Sequence, residues 1–169
     1  GSDNISVTWC KFTYTNYRAH NTSNLVGHDD WNYVEDENHL NVTWGNCWWD
    51  ANIHERTPRV RYGKNHIYNS YMSDDSKRNS EIQVGYEGKI YADYNRLTQA
   101  VTTSNAYKNL GTANNKKPSD LFYSYKFENN NKNNGSGNHK SVEYFTPTYS
   151  YLKITDQETL ASEIKNANY

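Results

Sequence analysis

The sequence predicts an all-β protein, a parallel β-helix finished by a short C-terminal helix. Three observations carry this. Short extended runs of one shape recur at intervals of a few tens of residues, which is the mark of a solenoid, and strand repeats without long helices make it a parallel β-helix. The 16 Tyr, 5 Trp and frequent Val, Ile and Thr favour extended backbone. Only the end of the chain turns helical: Thr155-Asp156-Gln157-Glu158 reads as a capping box, followed by Leu160, Ala161 and Ile164 on one face.

The runs are Ile5–Phe12, Leu40–Trp49, His66–Tyr71 and Lys89–Leu97. Each alternates apolar with polar residues, turns at Cys or Asn, and resumes with an aromatic or aliphatic residue. Stacked coils bring equivalent positions to about 4.8 Å, and asparagine at the bend can build a hydrogen-bonded ladder. Asn69 and Asn95 are expected in that column, with Cys10 and Cys47 in the same place on the preceding coils. Stacking brings the two cysteines within disulfide reach, which an extracellular setting permits. Two free buried thiols serve a ladder position equally well, and that is the expected form.

Three loops separate the runs. Thr13 to Asn24 carries Tyr17, Arg18 and His20; His28-Asp29-Asp30-Trp31 to Glu35-Asp36-Glu37 is acidic; and 129–138 is an Asn-rich segment expected to be a flexible surface loop.

At 169 residues a single domain spanning 1–169 is expected. Gly1-Ser2 reads as a cloning scar, so the β-helix is expected to be truncated, with an open coil end at Ile5–Phe12. An open strand edge calls for a capping segment, a missing N-terminal half or self-association. The net charge of −1 gives no footprint for nucleic acid, and the apolar runs are too short to cross a membrane. Aromatic-rich, Asn-rich, weakly charged chains are common among extracellular proteins that handle carbohydrate.

The most chemically pointed stretch is Arg56-Thr57-Pro58-Arg59-Val60-Arg61-Tyr62-Gly63-Lys64. Proline biases Thr57 toward extended backbone, so a turn ends and a strand begins there. Alternation then places Val60 and Tyr62 on one face and Arg59 and Arg61 on the other, with Arg56 at the strand's mouth. Guanidinium forks at such spacing suit carboxylates. A solvated basic edge strand is the plainer reading of the spacing alone.

Taken with Asn65-His66-Ile67-Tyr68-Asn69 and the upstream Asn41-Val42-Thr43-Trp44, this stretch resembles the core of the pectate lyases of polysaccharide lyase family 1. Ile5–Phe12 with Leu25-Val26-Gly27-His28, and Phe145-Thr146-Pro147-Thr148-Tyr149-Ser150-Tyr151, resemble the flanking coil and the closing segment. The resemblance implies a right-handed, pectin lyase-like parallel β-helix, secretion, and calcium-dependent β-elimination of polygalacturonate or pectin. It implies that Arg56 is the catalytic base at C5 of a galacturonate unit and that Arg61 grips the substrate carboxylate. Arg59 lies between them as a supporting charge in substrate binding. Arg18 stands near where the family carries a substrate-binding lysine. The family's calcium aspartates lie upstream of Ile5, where only Asp3 is acidic. The calcium ligands are therefore unidentified; Asp29/Asp30 and Glu35/Asp36/Glu37 offer hard oxygens, although a solvated acidic loop is the expectation for them. Three functions follow: a lyase, a non-catalytic module binding acidic glycan through the same arginines, and a purely structural solenoid, which the intact Arg56/Arg61 pair disfavours.

Overall fold

The computed structural model describes residues 2–16, 18, 20–29, 32–73, 81–98, 122–132 and 135–167. The chain winds in successive coils. The first holds β1 (Ile5–Thr8), β2 (Lys11–Phe12) and β3 (Leu25–Val26); the single helical turn α1 (Tyr33–Asp36) sits in the acidic loop after it. The second holds β4 (Val42–Gly45), β5 (Trp48–Trp49) and β6 (Arg59–Val60), and the third β7 (Lys64–Tyr68), β8 (Tyr71–Met72) and β9 (Gln83–Val84). Then come β10 (Lys89–Asp93), β11 (Arg96–Leu97), β12 (Tyr123–Glu128), β13 (Gly135–His139) and α2 (Gln157–Asn166).

Among the described residues, equivalent strands stack into three sheets, β1-β4-β7-β10-β12-β13, β2-β5-β8-β11 and β3-β6-β9. Every pairing is parallel except β12 with β13. This is the parallel β-helix expected from the repeats. Register turns the alternation into interior columns: Val26-Val60-Val84 on the third sheet, Trp49-Met72-Leu97 on the second, and Trp44-Ile67-Ala92-Phe127 on the first. All are 8% exposed or less. Burying each large side chain stabilises by about 1.5–3 kcal/mol. Phe12 stacks on Trp49 with ring centroids 5.3 Å apart, carrying the core to the first coil.

The bend between the first two sheets repeats as a pair of positions. Trp9, Asn46, Asn69, Tyr94 and Asn129 all have φ between 45° and 56°. Each is followed by a ladder residue, in order Cys10, Cys47, Ser70, Asn95 and Asn130. Asn95 Oδ1 accepts from Ser70 N at 2.9 Å and Asn130 Oδ1 from Asn95 N at 2.8 Å. Ser70 Oγ accepts from Cys47 N at 3.0 Å. The ladder thus runs through Ser70 and not, as expected, through Asn69. Asparagine tolerates the left-handed backbone of the preceding place, and from there Asn69 binds the segment crossing outside: its Nδ2 donates to Leu152 O at 2.7 Å and its Oδ1 accepts from Ile154 N at 3.0 Å. Both cysteines are free. Cys47 is wholly buried, and burial pushes its thiol up to about 12.

Within 129–138, several described residues are tied to the last coil. Asn130 is buried and extends the ladder, its Nδ2 donating to Ala92 O at 2.9 Å. Asn131 exchanges hydrogen bonds with the backbone of Leu97, and Gly135–His139 pairs antiparallel with β12. Asn130 and Asn131 thus serve backbone groups of the last coil rather than solvent.

Beyond β13 the chain returns across the outer face of the first sheet. Tyr149 Oη meets Thr43 Oγ1 at 2.9 Å and His66 Nδ1 at 2.7 Å, and the Tyr151 hydroxyl donates to Asp93. Helix α2 is capped by Asp156, one place later than the capping box implied. Its carboxylate accepts from the backbone N–H of Glu158 and Thr159, the arrangement aspartate favours at an N-cap. Leu160, Ala161 and Ile164 are buried against Tyr71 and Trp48 on the outside of the second sheet, so the helix covers a face of the solenoid.

Candidate active site

The arginine motif lies where the chain enters the third sheet. Arg59 and Val60 form β6, in register with Leu25 and Val26 of β3. Val60 and Tyr62 are 0% and 1% exposed, and Tyr62 packs on Tyr86 with centroids 5.6 Å apart. Arg59 and Arg61, on the opposite face, are half-buried at the surface. This is the alternation the sequence implied.

Arg61 is held by the coil below. Its N–H donates to Val26 O at 2.9 Å and its Nη1 to Gly27 O at 3.3 Å. Gly27 has φ of +84°, and a Cβ there would lie 2.8 Å from Arg61 Cβ. Only glycine gives Arg61 this approach.

Arg56 precedes the strand with φ of 64°, an unfavourable region for a side chain of its size. The previous coil over-determines it: Thr22 bridges to Glu55, Ser23 N donates to Glu55 O at 3.2 Å, and Asn24 N donates to Arg56 O at 2.8 Å. The side chain is a quarter exposed, and its Nε stands 3.8 Å from Glu55 Oε1, too far for a hydrogen bond. The charge partner of Arg56 is therefore a carboxylate and not one of the motif's other arginines. Glu55 has no assigned role in the sequence reading, although its position next to Arg56 was the available signal. Gly27 was out of reach, because its role depends on contact with a residue one coil away.

Arg18 is exposed in the loop between β2 and β3, and no contact among the described residues ties it to Arg56, Arg59 or Arg61. Tyr17 of the same loop lies outside the described residues.

The described residues do not fit a calcium site. Among the described residues no three His, Cys, Asp or Glu side chains gather where they could hold a metal ion. Asp3 Oδ1 accepts from the backbone N–H of Asn4 and Asn41, which holds its carboxyl below the usual range, Asn41 contributing most. In the acidic loop Asn32 Nδ2 bridges Glu35 Oε2 at 3.1 Å and Asp36 Oδ2 at 3.3 Å, Asp36 is buried, and Asp29 faces His28 at 3.6 Å. These oxygens are occupied in closing the α1 turn or face a histidine. Asp30 and Trp31 lie outside the described residues.

The family profile described as "Pectate lyase" matches residues 1–168. The chain belongs to the pectate lyase family. Pectate lyase D of Dickeya chrysanthemi is 32% identical over 181 aligned positions, covering all of this chain and 44% of that protein. Pectate lyase A of Emericella nidulans is 38% identical over 96 positions, 55% of this chain and 28% of the relative. Two solved structures share the fold: the thermostable pectate lyase PL 47 (TM-score 0.56, 23% identity, 97% of this chain and 41% of that one) and pectate lyase Bsp165PelA from Bacillus sp. N165 in complex with trigalacturonate (TM-score 0.57, 17% identity, 98% and 49%). The chain spans less than half the length of each of these pectate lyases. Among the described residues no helix is long and apolar enough to cross a membrane.

Proposed function

We propose that the chain acts as a pectate lyase-like protein on polygalacturonate or pectin outside the cell, with Arg61, aided by Arg59, gripping a galacturonate carboxylate and Arg56 serving as the base. The observation that carries this reading is the arginine edge itself, the half-buried Arg59 and Arg61 two positions apart on one face of a coil whose backbone is paired with its neighbours. A carboxylate neutralised by Arg61 stabilises the negative charge that develops when its α proton leaves. In the elimination, the C5 proton passes to Arg56, its electron pair forms the C4–C5 double bond, and the C4–oxygen bond breaks. The leaving oxygen then takes up a proton. Arg18 is assigned no contact in this step.

A second reading is a non-catalytic module that binds acidic glycan through the same arginines. One observation favours it: the carboxylate of Glu55 stands beside Arg56. Incubating the protein with polygalacturonate, with and without calcium, separates the two. Unsaturated uronate absorbance that appears and is lost in Arg56→Ala supports the lyase. Retention without product supports the module, and neither overturns both.

A further inference from the structure

The outer face of the first sheet begins with two lysines in register, Lys64 of β7 beside Lys89 of β10. The turn that delivers Lys64 is closely built. Tyr62 and Gly63 have φ of 55° and 60°, and a Cβ on Gly63 would lie 2.3 Å from Leu40 O. The next coil is tied to it, Lys89 N donating to Gly63 O at 2.9 Å and Tyr62 N to Tyr86 O at 2.6 Å. Lys64 and Lys89 line a cavity of 210 Å³ at the corner between the third and first sheets, with Glu37, Asn38, Asn41 and Glu87. Among the described residues neither ammonium has an ion-pair or hydrogen-bond partner.

Two ammonium groups on strands about 4.8 Å apart repel one another, and an anion seated between them removes that repulsion. The cavity is not simply cationic, because Glu37 and Glu87 share it and the four charges cancel. An inorganic anion gains little from such a mixture. A ligand with one carboxylate and several hydroxyls fits it better, the carboxylate against the lysines and the hydroxyl protons toward Glu37, Glu87 and the Asn38 amide. Arg61 immediately precedes Tyr62 and Gly63, which line this cavity, so the arginine edge and the cavity are neighbours along the chain.

We propose that the corner cavity is a second acidic-sugar subsite, in which Lys64 and Lys89 hold the carboxylate of one uronate unit of a chain that also lies on the arginine edge. It rests on the reading of that edge as a polygalacturonate site. The test is chemical acetylation of the folded protein, followed by mass spectrometry of Lys64 and Lys89, with trigalacturonate, inorganic phosphate or no addition. Slower acetylation of both lysines with trigalacturonate and not with phosphate is expected. Binding to polygalacturonate by the Lys64→Ala/Lys89→Ala double variant should weaken roughly two- to fivefold, the range of exposed charge contacts. Equal acetylation with and without trigalacturonate overturns the subsite, and so does equal protection by phosphate. Protection of the lysines that persists while Arg61→Ala leaves polygalacturonate binding unchanged supports the corner subsite and overturns the arginine edge instead.

Discussion

His66 Nε2 lies 3.0 Å from Asp93 Oδ1, and both side chains are 1% exposed. The two residues come from adjacent coils, β7 and β10, and each meets a tyrosine of the returning segment: Tyr149 on His66, Tyr151 on Asp93. Asp93 thus accepts from two donors at once, the buried His66 and the half-buried Tyr151. Removing it leaves both without an acceptor, at about 1–3 kcal/mol each. Asp93→Ala is therefore expected to lose about 2–6 kcal/mol in urea unfolding and to expose 142–156 to limited proteolysis. An unchanged midpoint with an uncut segment would contradict the role given to Asp93.

The ladder predicts a graded series. Asn95 Oδ1 accepts from Ser70 N, and its Nδ2 donates to Ile67 O at 2.9 Å. Asn95→Ala orphans both backbone groups and should cost about 2–4 kcal/mol. Asn95→Ser should cost about half as much, because Ser70 fills the same column with a hydroxyl. Equal losses for the two variants would mean that packing, not hydrogen bonding, holds the column.

The cysteines should differ in reactivity. With its thiol pushed up to about 12, Cys47 carries about one thiolate in ten thousand at pH 8. A thiol reagent should modify Cys10 first in the folded protein, and two free thiols should titrate after denaturation. No thiol in denaturant would show a bond and overturn the free form.

Acid should destabilise the fold through identifiable carboxylates. Asp3, Glu128 and Asp156 all lie below their ordinary values, held by the Asn41 N–H, the Lys126 ammonium and the Thr159 hydroxyl respectively. A depressed folded-state value means that the unfolded chain binds the proton more readily. Their contribution is complete above the ordinary values of 3.8 for Asp and 4.5 for Glu, and is lost as pH falls below them. The urea midpoint should fall from pH 6 to pH 3, and less steeply in the Asp3→Asn/Glu128→Gln/Asp156→Asn variant. Identical slopes would remove these three groups from the account.

The coils were legible in the sequence because Ile5–Phe12, Leu40–Trp49, His66–Tyr71 and Lys89–Leu97 repeat one alternation. The arginine face was legible for the same reason, since period-two alternation fixed Val60 and Tyr62 inside. The ladder was read one place off at Asn69-Ser70, where both residues suit a bend and only the register with Cys47 and Asn95 distinguishes them. The roles of Asn130, Asn131, Tyr149 and Tyr151 were hidden by distance along the chain. Asn130 acts on Ala92, and Tyr149 on Thr43 and His66, contacts that leave no periodic trace in sequence.

The central claim is that the arginine edge grips the carboxylates of polygalacturonate, and it is tested most directly by measuring polygalacturonate binding to the wild type and to Arg61→Ala at several salt concentrations. A charge-assisted contact of about 1.5–3 kcal/mol corresponds to a loss of roughly ten- to a hundredfold. The account predicts that loss in Arg61→Ala, with wild-type binding that weakens as salt rises and falls away on methyl-esterified pectin. Equal binding by the two proteins, or wild-type binding indifferent to esterification, would contradict it.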